Sequence, residues 1–199
     1  MGIRRILLTV SAIAGSLLLC SSGKVPADGT VSAAAESTAR DLHKTLYETT
    51  GMEEEVSYAA FDEALTGYER IDSRKKEILV FVDFSKPSTQ ERLYVIDMKN
   101  RRLKSPVLLY KSLVAHGRGS GDTYATSFSN TPGSHQSSLG FYLTLNTYQG
   151  RNGYSLRLDG LEPGINDKAY ERAIVIHGAD YCTKAFLNTA GRLGRSFGC

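Results

Sequence analysis

Beyond Glu77 the chain is cut into short β-branched and aromatic runs by clusters of Gly, Pro, Asn and Ser, and this punctuation narrows its architecture more than any other feature. The runs cover residues 78–84, 93–98, 107–116, 141–145 and 173–177. Between them lie Lys86-Pro87-Ser88, Asn100-Arg101 and the glycine-bearing stretches 117–121, 150–153 and 160–164. Branched and aromatic side chains fit a pleated surface, whereas Gly and Pro set the backbone angles of turns. Spacing this regular predicts a mostly antiparallel sheet, curled or packed as a sandwich or barrel. Helical patches over residues 166–172 and 183–188 would decorate it, and no fixed-period repeat or low-complexity tract is evident.

Upstream the pattern changes. Arg4 and Arg5 precede an apolar run from Ile6 to Leu19 and the small residues Ser21, Ser22 and Gly23, the layout of a secretory signal over residues 1–23. Cleavage is expected after Gly23 or after Ala27, and the run is too short for a stable membrane span. Cys20 invites acylation, but Leu19 stands where a lipobox places a small residue, so lipid anchoring is the lesser expectation. Residues 24–35 read as a linker. In residues 36–76, Leu42, Leu46 and Tyr47, then Phe61, Leu65 and Tyr68, recur at helical spacing on either side of Gly51. They predict two amphipathic helices capping the sheet, too poor in apolar material to fold alone.

The formal charge is +3, and losing Arg4 and Arg5 with the leader takes it to about +1. So small a surplus gives no reason to expect nucleic acid as a partner. The clusters at residues 74–76 and 99–104 read as strand ends on a solvated surface. His43, His116, His135 and His177 stand far apart and no paired-cysteine motif occurs, so no metal site is expected.

Two stretches carry chemistry. AIVIHGADY (173–181) is an apolar strand that delivers His177 and Gly178 at its end, and GRLGRSFGC (191–199) combines three glycines with a terminal thiol. A cysteine becomes a strong nucleophile at neutral pH only beside a base, and a glycine-rich backbone can turn its amides toward a developing oxyanion. The pair points to a Cys–His acyl transferase. Papain-like peptidases place the cysteine first and the histidine later, the reverse of this order.

These stretches, with VAHGRGSG (114–121), SSLGFY (137–142) and YSLRLDGLE (154–162), resemble the YkuD-type L,D-transpeptidase catalytic domain, in particular its murein L,D-transpeptidase branch. The likeness runs from about residue 77 to residue 199. It implies a mainly β fold, the L,D-transpeptidase β-sandwich with peripheral short helices, and an exported enzyme of the periplasm or cell wall acting on peptidoglycan stem peptides. Cys199 would be the nucleophile and His177 the base, its ring oriented by the Gly178 carbonyl where some members have serine. Amides of Phe197, Gly198 and Cys199 would form the oxyanion hole. Ser196, Arg195, His116, Ser137, Ser138, Gly140 and Arg157 are candidate substrate-binding residues, the last because guanidinium suits a carboxylate. Phe197 replaces the histidine usual in the wider family.

The resemblance further implies attack on the L,D bond after the third stem residue, with release of D-alanine. A second stem's amine would then resolve the thioester to a cross-link, or water would do so in an L,D-carboxypeptidase. No cofactor is needed, and a monomer is expected. Cys182 reads as a buried spectator, although a disulfide with Cys199 is conceivable in an oxidising envelope. The family's domain continues past its cysteine, so a truncated chain is expected here, whose terminal carboxylate would raise the thiol pKa. A different class of reading is a catalytically weak module that binds peptidoglycan without turning it over.

Overall fold

The computed structural model describes residues 6–10, 33–103 and 105–198, with side chains from Thr38 onward. Cys199, Cys20 and most of the expected leader and linker lie outside the described residues.

Two helices come first, α1 (Ala33–Thr49) and α2 (Tyr58–Arg70). Gly51, at φ 70°, turns the chain between them, and the Ser57 hydroxyl caps α2 by accepting from the Ala60 amide at 3.3 Å. Their apolar stripes converge. Leu46, Phe61, Leu65 and Tyr68 bury against Leu79 and Phe81 of β2 (Ile78–Val82) and Tyr94 and Ile96 of β3 (Leu93–Asp97). Gly67 is what lets α2 approach, because a Cβ there would fall inside the Phe141 ring.

Among the described residues seven strands form one hydrogen-bonded sheet in the order β4-β3-β2-β1-β5-β6-β7. The others are β1 (Ile6–Val10), β4 (Val107–Ser112), β5 (Gly140–Gly150), β6 (Gly153–Gly160) and β7 (Val175–His177). Every pairing is antiparallel except β1 with β5. Because strand side chains alternate between faces, Val80 and Val82 point away from the helices. They meet Tyr142, Leu158, Ile174 and Ile176 from the far half of the sheet in a second core. A register shift at Thr144/Thr147 lets the eleven-residue β5 bend, so the sheet curls over that core. The molecule is mainly β with short helices, in agreement with the expected fold class.

Some elements differ from the sequence reading. Gly153–Gly160 is a full strand although it was not among the expected runs; a two-residue turn pairs Gly150 with Gly153 and extends the ladder. The patch at 166–172 is a chain of turns rather than a helix. Asn166 explains this: its buried side chain accepts from the Glu162 amide and donates to the Leu139 and Phe141 carbonyls, which ties the segment to β5. The run at 173–177 shortens to three residues because Ala173 takes φ 54°. Ile6–Val10, inside the stretch read as a leader, pairs between β2 and β5; the same apolar character suits a strand as well as a signal.

Candidate active site

Strand β7 ends on His177, whose neighbours on β6 fix its place: Ser155 lies opposite His177 and Leu156 opposite Ile176. The ring Nδ1 is 2.7 Å from the Gly178 carbonyl. A nitrogen that close to a carbonyl oxygen carries the proton, so the Nε2 lone pair is the one left for chemistry. His177 lines a cavity of about 290 Å³ whose walls are mostly apolar, with Phe84, Leu93, Leu158 and Ile174 among them. The same cavity is lined by Ser196 and Gly198. Strand end and C-terminal loop therefore converge on one space.

The C-terminal loop is held by backbone. Ser196 donates its amide to the His116 carbonyl at 3.1 Å and accepts from the Arg118 amide at 2.8 Å, a short parallel bridge centred on Gly117 and Ser196. Gly117 must be glycine, since a Cβ would strike the His135 carbonyl and crowd Gly198. The Gly198 amide, expected to face an oxyanion, donates instead to the Ser196 hydroxyl at 3.1 Å. Its φ of 118° is one that L side chains rarely adopt. The Phe197 ring is exposed, stacked edge-on against His135 at 5.2 Å and covered by the Arg118 guanidinium at 4.6 Å.

Four further candidates are engaged with other parts of the protein. His116 is buried, and both ring nitrogens are engaged: Nδ1 accepts from Arg92 at 2.8 Å and Nε2 faces the Gly121 carbonyl at 3.2 Å. Burial, and then the adjacent Arg92 cation, push its pKa down, so it is a neutral strut. Arg157 pairs with Val175 across the β6–β7 ladder and stacks on the Tyr148 ring at 4.0 Å. Gly140, at φ 105°, gives room to Glu162, whose carboxylate accepts the Phe141 amide at 2.7 Å. Arg195 lies on the surface, where it and Arg192 share Asp122 at 2.9 and 2.6 Å.

Ser137 and Ser138 do line the cavity, but their hydroxyls are committed to structure. Ser137 Oγ accepts from the Gly117 amide at 3.0 Å, and Ser138 Oγ donates to the Ser129 carbonyl at 2.8 Å. Cys182 is a free thiol on the same wall, and burial pushes its pKa up, so it is a poor nucleophile where it stands.

Two residues that the sequence reading passed over organise this region. Arg92 is wholly buried and also donates to the Val114 and Lys86 carbonyls. Arg172 donates to the Ser129 and Gln136 carbonyls, both at 2.6 Å, and to two serine hydroxyls. Neither belongs to a motif, and in sequence each looks like a cation in a polar loop.

Among the described residues no helix is long and apolar enough to cross a membrane. No curated protein and no solved structure matches the chain. A family model does, that of the YkuD-type L,D-transpeptidase catalytic domain, over residues 52–199. The match takes in α2 and every strand of the sheet but β1, starting earlier than the likeness read from the motifs. Domains of this family act on the peptidoglycan of the cell wall, which implies an exported protein. With well over half its length matched, the chain belongs to the L,D-transpeptidase catalytic domain family.

Proposed function

We propose that this protein is a cysteine-dependent peptidoglycan L,D-transpeptidase in which Cys199 is the nucleophile and His177 the general base. The observation that carries the reading is His177, its Nδ1 engaged by the Gly178 carbonyl, in the cavity that Gly198 also lines. Nε2 takes the thiol proton, and the thiolate adds to the stem-peptide carbonyl after the diamino acid. As the tetrahedral adduct collapses, the imidazolium returns its proton to the departing D-alanine amine and an acyl-thioester remains. An acceptor amine then attacks the thioester, loses a proton to His177 and leaves a cross-link, and Cys199 departs as thiolate. Water in place of the amine yields a tripeptide. The apolar walls favour the amine by excluding solvent.

Incubation of the full-length protein with a disaccharide tetrapeptide, followed by peptide-resolved mass spectrometry, tests this. Acyl mass on the Cys199 peptide is expected, with dimers or tripeptides in solution. Cys199→Ala abolishes both, and His177→Ala slows them about 10²–10⁴-fold. Undiminished D-alanine release from Cys199→Ala would end the proposal. The engaged Gly198 amide favours a second reading, a catalytically weak wall-binding module, because that donor must leave Ser196 before it can hold an oxyanion. Binding to purified murein with identical muropeptide profiles from wild type and Cys199→Ala would select it.

A further inference from the structure

Arg172 lies at the junction of three backbone segments that meet behind the cavity. Nη1 donates to the Ser129 carbonyl and Ser138 hydroxyl, and Nη2 to the Gln136 carbonyl and Ser134 hydroxyl. Its four partners thus all belong to the loop from 129 to 138. That loop is the floor under the C-terminal segment: a Cβ on Gly198 would stand 3.1 Å from the Gln136 carbonyl and 3.4 Å from Arg172 Nη2. Gly117, on the third segment, would meet Gln136 and Gly198 at 3.0 Å each. Backbones that leave no room for a Cβ transmit displacement, since no side chain intervenes to absorb it.

Backbone strain flanks the same place. Ala173 and His135 are the two non-glycine residues with positive φ among the described residues, both at 54°. One follows Arg172 directly and the other precedes Gln136, one of its two carbonyl acceptors. Conformations of this kind persist only where the surroundings over-determine them. Turning the chain at Ala173 allows Arg172 to reach the 129–138 loop while Ile174 enters the core.

We propose that Arg172 is a positioning residue which clamps the 129–138 loop beneath Gly198 and brings a fixed positive charge to the backbone that leads into the proposed nucleophile. The inference rests on the proposed role of Cys199 and adds a second source of thiolate stabilisation to the His177 base. The other titratable or charged groups at this end, among the described residues, are His177, Cys182, Tyr142 and Tyr181 on the cavity wall, Arg118 and His135 against Phe197, and Arg195 paired with Asp122. Arg172 differs from them in donating directly to the floor on which Gly198 rests.

Site-resolved alkylation of the full-length protein by iodoacetamide, followed from pH 5 to 10 by mass spectrometry of the Cys199 peptide, reads the charge. A nearby cation lowers an acid's midpoint by about one unit or more, so Arg172→Gln should raise the Cys199 midpoint by about that much. An unchanged midpoint in a folded Arg172→Gln protein overturns the electrostatic part. Arg172→Lys keeps the charge and loses the planar fork. It should hold the midpoint near wild type while kcat falls about tenfold and KM stays put, a loss of about one well-placed contact's worth. Wild-type kcat in Arg172→Lys overturns the clamp, and this arm remains decisive if the Gln variant does not fold. If wild-type Cys199 forms no thioester with the tetrapeptide, the catalytic proposal has failed. If it does and the Arg172 variants behave as wild type, only this inference has.

Discussion

Replacing Arg92 with methionine tests whether a buried cation without a direct carboxylate partner holds up the site. Its guanidinium donates to the Val114 carbonyl through Nε and Nη2, to the Lys86 carbonyl and to His116 Nδ1, and it covers the Phe84 ring at 4.8 Å. Burial holds its pKa down at about 10, below the ordinary 12.5, with Cys182 and Asp83 opposing the shift. That depression means the cation itself costs the fold about 3 kcal/mol at neutral pH. Methionine removes this cost but strands three acceptors. At about 2 kcal/mol for each buried acceptor left without a donor, the loss is about 6 kcal/mol, and the net destabilisation about 3 kcal/mol.

The His116 share of the loss can be isolated. His116→Phe removes the stranded imidazole nitrogen and packs an apolar ring against Phe84. Arg92→Met with His116→Phe should therefore be less destabilised than the two single changes added together, by about 1–2 kcal/mol. Urea unfolding monitored by far-ultraviolet circular dichroism measures both quantities as midpoint shifts at constant slope. Arg92→Met within about 1 kcal/mol of wild type, or strict additivity in the cycle, would falsify the reasoning. Because the His116 carbonyl receives the Ser196 amide, Arg92→Met should also lower the proposed transpeptidation beyond what its folded fraction explains.

Three further expectations concern the frame around the site. His43 joins α1 to α2 through Asp62 at 2.7 Å and Glu69 at 3.3 Å; burial lowers its pKa, but the two carboxylates outweigh this and raise it above 6.5. The stabilisation is then complete below pH 6.5 and lost as pH rises through the raised value, so urea midpoints should fall from pH 6 to pH 8 and His43→Gln should flatten that slope. Gly67→Ala puts a methyl into the Phe141 ring; overpacking of about 1–3 kcal/mol exceeds the roughly 1 kcal/mol gained in helix propensity, and a variant that melts above wild type would contradict the packing. In a chain starting at Lys24, β2 and β5 lose their shared neighbour, so amides of Ile78–Val82 should exchange faster than in the full chain, and equal protection would remove β1 from the sheet.

Much of this was legible in sequence because it depends on near neighbours. The continuous apolar run Ile78–Val82 marks a strand buried on both faces, and the three- and four-residue spacing of Leu42, Leu46, Phe61 and Leu65 locates the two helices. The placing of His177 at a strand end follows from the apolar run before it. Only folding decided what the remaining polar residues do. His116 reads as a site residue beside glycines, yet Arg92, distant in sequence, meets it in the interior and consumes its free nitrogen. Arg157 looks available in sequence, and only the fold brings the Tyr148 ring against its guanidinium. Arg172 carried no local signal at all, since its partners lie between 34 and 43 residues away. Local periodicity reports which face a residue occupies, because backbone geometry repeats over a few residues. Whether a polar group on that face binds substrate or holds up a loop depends on which distant donor or acceptor the fold brings against it, and that is settled only when the chain closes on itself.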